Sequence, residues 1–305
     1  MGSMMKYVVT SETRVVNGET LYRIQSLVDF KTIDGKKVEK GSYGGYITNL
    51  NCLSQYGQSW IKSGACVFDG RVSGNALVAG RASVYGGHIL DKAIVKGKTK
   101  VVESTIYGSA VVQDNTRVNN STVGDTSVIK DNAVLDDRAV VFGNSIIRDD
   151  AKVVNYSQVL DGLIKDSSVI DHSSLDAYHV TGKSLVRNVL MCGKGDIIDS
   201  TITSKKHFYL HVTCGFEKAH ITDMSQFFFI PLGHRRMAYV AIYPNVDGEL
   251  MASYRSCGDS HVVTLEELDK RVRDEHIVTE EFWDKFLSLA RMFQNENVKV
   301  KDPWE

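Results

Sequence analysis

This chain of 305 residues lacks most of the features that announce a function. It has three prolines, all after residue 230, which leaves most of the chain free for continuous strand pairing. Its five cysteines, Cys52, Cys66, Cys192, Cys214 and Cys257, are odd in number and never form a Cys-x-x-Cys. That pattern excludes a disulfide framework and the common zinc motifs, and it fits a reducing cytoplasm, the expected location. The net charge of −1 gives no whole-chain pull toward nucleic acid or membrane. No apolar run approaches the ~18 residues of a membrane span, and the opening Met-Gly-Ser-Met-Met-Lys has no apolar signal core. P-loop, paired-carboxylate, Ser-His-Asp and Cys-His arrangements are missing. Between about residues 60 and 200 the helical i, i+3, i+4, i+7 pattern of apolar residues is absent too, so helix is excluded there.

What the chain does have is a repeat of 17 residues. One aliphatic column runs Val67, Val84, Val101, Val118, Leu135; a second runs Val72, Ile89, Ile106, Val123, Val140; a third runs Val78, Val95, Val112, Ile129, Ile146. Successive columns are spaced five, six and six residues apart. Three short strands per period, each with one inward aliphatic residue, predict a triangular solenoid. Small residues two positions earlier (Ala65, Ala82, Ala76, Ala93) share the inward face, because alternate strand residues point the same way. Gly, Asn and Asp fill the corners. Past residue 150 the series continues through Val153, Val159, Ile164, Ile170, Leu175 and Val180 with irregular spacing.

The reading is therefore a mainly β protein: a single-stranded triangular β-helix with a small α+β C-terminal module. The Ala-x-Val hexapeptide style favours the left-handed form. Residues 1–59 are expected to cap the first coil, 60–225 to form the solenoid, and 226–305 to form the module. Asn17-Gly18 and Asn245-Val246-Asp247-Gly248 are turn signals. Thr264-Leu265-Glu266-Glu267 is a capping-box helix start, and a second helix follows from Thr279.

Arg23-Ile24, Asp29-Phe30, Gly41, Gly44-Gly45-Tyr46-Ile47, Leu53-Ser54, Gly57 and Trp60-Ile61 resemble the N-terminal block of the YdcK-like family. These are hexapeptide-repeat β-helix proteins of bacteria and prophages, often labelled transferases. The segment from Gly233 to His276 resembles a domain appended to phage members, with Gly233-His234-Arg235-Arg236 where that domain has a Gly-Ser-Arg-like motif. The resemblance implies the β-helix and a phage-type accessory role, such as sequestering a host nucleotide signal in counter-defence.

Two stretches attract functional attention. Between 201 and 236, five Lys/Arg face two acids, with aromatics interleaved. Lys205, Lys206, His207, Tyr209, His211, His234, Arg235 and Arg236 are the candidate ligand-binding residues, because cationic forks suit phosphate and aromatic faces suit a base. The expected partner is a small anionic ligand such as a nucleotide, bound without catalysis, with no cofactor and no metal. Homo-oligomerisation, as a trimer, is expected, and nucleic acid is not. The alternative is a coenzyme A-dependent acyltransferase in which His172 or His179, beside the irregular coils, acts as general base toward acetyl-coenzyme A. His88 precedes an inward residue and is read as a solvated surface histidine. A second alternative is a structural, polymer-forming scaffold.

Overall fold

The computed structural model describes residues 5–211, 214–223, 226–234, 237–256 and 259–297. The protein is mainly β: stacked parallel coils make a solenoid of about 10 turns, followed by a small α+β module with two helices. The chain divides into two compact units, Met1–Asp161 and Gly162–Glu305.

In the first unit, Tyr7–Val16 and Glu19–Ser26 form an antiparallel hairpin. Asn17 and Gly18 at its turn both have positive φ (52° and 83°), as a two-residue hairpin loop requires. Glu19–Ser26 also pairs with Tyr43–Ile47, which in turn pairs in parallel with Cys66–Phe68 through Tyr46 and Ile47. The hairpin thereby extends the hydrogen-bonding of the first coil and covers its edge. Lys6 is buried beside it. Its Nζ donates to the carbonyl of Ser59 at 2.9 Å and to Ser59 Oγ at 3.1 Å, and burial lowers its pKa to about 8.

The coils that follow have three strands each, two or three residues long, and every strand pairs with its counterpart one coil away. Val84 lies between Val67 and Val101, Ile89 between Val72 and Ile106, and Val95 between Val78 and Val112. These inward side chains are fully buried. Corner aspartates adopt left-handed backbone, with φ of 57° at Asp91, 66° at Asp114 and 61° at Asp131. The Asp91 carboxylate accepts from the backbone N–H of Gly108, that of Asp114 from Asp131, and that of Asp131 from Asp149. A short polar side chain that bonds locally offsets the cost of this conformation. The acidic corners are built into the coil.

Two column positions differ from the sequence reading. Val141 and Ile147, rather than Val140 and Ile146, pair with Val123 and Ile129 and are fully buried; Ile146 is 38% exposed. The cause is one extra corner residue. Asp137 and Arg138 both sit at positive φ, and Arg138 bonds back to Asn120, which forms the preceding corner alone. A one-residue slip exchanges the two faces of a strand.

The second unit keeps three sides per coil but builds them differently. Ser174–Thr181, Leu185–Ile198 and Thr201–His211 are long parallel strands that pair in sequence. Small inward positions carry serine here (Ser168, Ser173, Ser184 and Ser200 are buried), as at Ser104, Ser121 and Ser145 of the first unit. Their hydroxyls bond to neighbouring backbone, as where Ser184 Oγ donates to Thr181 at 2.6 Å and accepts from the Ser200 N–H at 3.1 Å. A buried hydroxyl needs such a partner.

The module is a four-stranded antiparallel sheet of Phe228–His234, Met237–Pro244, Leu250–Ser256 and Asp259–Thr264. Helices α1 (Leu265–Asp274) and α2 (Glu280–Asn297) follow. Thr264 Oγ1 accepts from the Glu267 N–H while the Glu267 carboxylate accepts from the Thr264 N–H, the expected capping box. Val240, Ile242, Ala252 and Tyr254 pack with Leu268, Trp283, Phe286 and Leu287. The sheet's other face meets the last coil. The Tyr243 ring lies 5.1 Å from Phe216, and Ser253 Oγ accepts from the Gly215 N–H at 3.0 Å. No helix among the described residues is long and apolar enough to cross a membrane.

Candidate functional site

The second unit's coils carry polar features that the first unit's coils do not. Backbone register lines up Asp171, Arg187 and Thr203 on adjacent strands, which parallel pairing sets ~4.8 Å apart. Asp171 is buried, yet it is hydrogen-bonded on both oxygens: Oδ1 accepts from His172 Nδ1 at 2.7 Å and Oδ2 from Arg187 Nε at 2.7 Å. A carboxylate taken out of water needs this pairing. His172 occupies the corner with φ of 47°, and its side chain is 48% exposed. The bond through Nδ1 orients the ring and leaves Nε2 available. Arg187 is similarly half-exposed; only its Nε is engaged among the described residues, so the terminal nitrogens keep their donors.

At the same corner the next coil departs from the repeat. Arg187 pairs with Thr203 and Val189 with Phe208, so four residues, Ser204 to His207, stand opposite Asn188 alone. Asn188, at φ 56°, reaches across and donates through Nδ2 to the Ser204 carbonyl at 2.9 Å. This excursion brings Lys205, which is exposed, and the backbone of Lys206 and His207 to the corner that carries His172 and Arg187. Tyr209 follows on the same strand, 64% exposed.

The sequence-derived candidates are thus divided. Lys205, Lys206, His207 and Tyr209 gather at this corner, and His172 joins them from the acyltransferase reading. His211 lies on the next row of the same sheet. His234 ends the first strand of the antiparallel sheet, a different sheet from that of the solenoid strands, and Arg235 and Arg236 lie outside the described residues. Phe216, one of the interleaved aromatics, is core at 1% exposure and offers no stacking face. His179 lies elsewhere, its Nδ1 3.1 Å from Asp196 Oδ1, with both side chains more than half exposed; such a pair contributes little. His88 is exposed on the first unit, as expected.

Asp171 and Arg187 escaped the sequence reading. The available signal was an Asp-His pair where other coils place Gly, Asn or Asp, with an arginine 16 residues later in a solenoid of roughly that period. Among the described residues, no group of three His, Cys, Asp or Glu side chains is arranged to hold a metal. No protein-family model matches the chain, and no curated protein matches it significantly.

Proposed function

We propose that the protein captures a small phosphate-bearing ligand, a nucleotide by preference, at the corner formed by His172, Arg187 and Lys205, and holds it without turnover. The observation that carries this reading is the Asp171–Arg187 pair. A buried carboxylate fixes the guanidinium by Nε and leaves its terminal fork to an incoming acceptor. Planar forks of this kind suit phosphate oxygens. Lys205 adds positive charge from the excursion, and exposed Tyr209 supplies an aromatic face for a base. Sequestration of a nucleotide signal is the biological form this takes.

A second reading, acyl transfer from coenzyme A, is favoured by one contact, the Asp171–His172 hydrogen bond. A carboxylate that fixes the tautomer through Nδ1 leaves Nε2 to accept a proton, the arrangement of a general base. Coenzyme A also carries phosphates, so both readings use Arg187, and they differ in turnover.

Thermal shift and native mass spectrometry against mono-, di- and cyclic nucleotides and coenzyme A thioesters test both. Ligand bound to the native state raises the melting temperature by mass action. Stabilisation by a nucleotide that is recovered unchanged, and that Arg187→Ala abolishes, is expected. Free thiol released from acetyl-coenzyme A, dependent on His172, would replace capture with catalysis. No stabilisation by any compound would overturn both.

A further inference from the structure

We propose that a groove between the first, irregular coil and the regular coils of the first unit binds a small zwitterion with an apolar body, an α-amino acid of the aromatic or branched aliphatic kind. One departure from the repeat builds the groove. At the corner before Leu53 the chain makes a 3-10 turn, Leu50–Cys52, capped where Asn49 Oδ1 accepts from the Asn51 N–H at 2.9 Å. It rejoins the stack at Leu53, which bridges in parallel to Val72, and the Ser54 N–H donates to the Val72 carbonyl at 2.9 Å. Tyr7, itself fully buried, fixes the turn by donating through its hydroxyl to the carbonyls of Leu50 and Leu53 at 3.0 and 2.7 Å. The turn takes the place of the strand residue that a regular coil would lay opposite Arg71. Beside it opens a groove of about 460 Å³, a size that suits small-molecule sites.

The lining offers an apolar surface and both signs of charge. Leu50 and Tyr56 are 59% and 71% exposed, large side chains that the fold leaves in solvent at the groove. Arg71 and His88 stand on adjacent parallel strands. Each precedes a buried residue, Val72 and Ile89, so strand alternation turns both outward. Neither side chain makes a hydrogen bond or ion pair among the described residues. Asp69 occupies the corner two residues before Arg71, at φ 46°. Its Oδ1 accepts from Asn49 Nδ2 at 2.9 Å and from Thr48 Oγ1 at 3.2 Å, while Oδ2 is unengaged among the described residues. A carboxylate and a guanidinium thus line one groove without pairing with each other. A lone anion there would lie beside Asp69, and a lone cation beside Arg71. A zwitterion answers both. Its carboxylate takes the Arg71 fork, its ammonium the open Asp69 oxygen, and its side chain packs against Leu50 and the Tyr56 ring. All of these groups belong to the first unit, so the site does not depend on nucleotide capture.

The test is titration of the full-length chain with L-phenylalanine and L-leucine, followed by ligand-observed NMR. Both should bind saturably at one site. On the unaltered protein, 3-phenylpropanoate, which lacks the ammonium, and phenethylamine, which lacks the carboxylate, should each bind at least about tenfold more weakly, the scale of one hydrogen bond to a charged group. That series needs no variant to fold. Arg71→Gln and Asp69→Asn should each weaken L-phenylalanine by a similar factor; asparagine tolerates the left-handed corner and keeps an acceptor for Asn49. Arg187→Ala should leave L-phenylalanine binding unchanged, which separates this groove from the nucleotide corner. Absence of saturable binding by both amino acids, binding of 3-phenylpropanoate as tight as that of L-phenylalanine, or undiminished binding by Arg71→Gln or by Asp69→Asn would each overturn the proposal.

Discussion

The coils of the first unit and those of the second solve the same problem with different materials. In the first, strands of two or three residues, small and aliphatic interiors and aspartate corners repeat, and Asp91, Asp114 and Asp131 spend their carboxylates on the next coil's backbone. In the second, strands lengthen to 14 residues at Leu185–Ile198, and a buried aspartate holds a histidine and an arginine at one corner. Among the described residues, no buried carboxylate holds an exposed side chain in the regular coils. The irregular ones leave an imidazole nitrogen and a guanidinium fork over. Departure from the repeat therefore marks where function is to be sought.

Several substitutions bear on that contrast. The largest effect belongs to the interior of the regular unit. Ile106 is fully buried and pairs with Ile89 and Val123 in neighbouring coils. Ile106→Ala should cost ~2–5 kcal/mol in denaturant unfolding and leave ligand binding by the folded protein intact. Lys6, at the start of the same unit, gives a pH signature. Its folded pKa is about 8 against an ordinary 10.5, so below pH 8 the unfolded chain and the folded chain are both protonated and the full desolvation cost is present. As pH rises from 8 toward 10.5 the folded state releases its proton first, and the cost is relieved. Relative to Lys6→Met, the unaltered protein should gain ~2 kcal/mol between pH 7 and pH 9.5. A flat difference across that range would show that Lys6 keeps its ordinary pKa.

Smaller changes should separate fold from site. Removing Lys205, Lys206 and His207 leaves one residue opposite Asn188, as in a regular coil. Stability should shift by less than about 1 kcal/mol, while ligand stabilisation disappears. Loss of the fold instead would make the excursion structural. Thr264→Ala removes the α1 cap and should cost ~1 kcal/mol, measured as lowered hydrogen-exchange protection in the module, with no change in ligand affinity.

How legible all this was follows from the same contrast. The columns from Val67 to Leu135 could be read directly, because a strict period writes the inward face into the sequence. The reading slipped at Val140 and Ile146, where a single extra residue at Asp137–Arg138 changes the register and aliphatic residues stand on both sides of the step. The helix cap at Thr264 was legible because its partner is three residues away. The Asp171–His172–Arg187 cluster was not, since its members join across coils through a register that the loosened spacing hides. Lys205 and Tyr209 were found by composition, which gathered them with His234, a residue of another sheet.

The most direct test compares one arginine from each region by calorimetric titration of the stabilising nucleotide. Arg187 is held by a buried carboxylate in the irregular coils; Arg117 is an exposed arginine on a flat side of the regular ones. Arg187→Ala should weaken binding by at least about tenfold, ~1.4 kcal/mol, while Arg117→Ala leaves it unchanged. Equal effects, or undiminished binding by Arg187→Ala, would contradict the assignment of the site to the irregular coils.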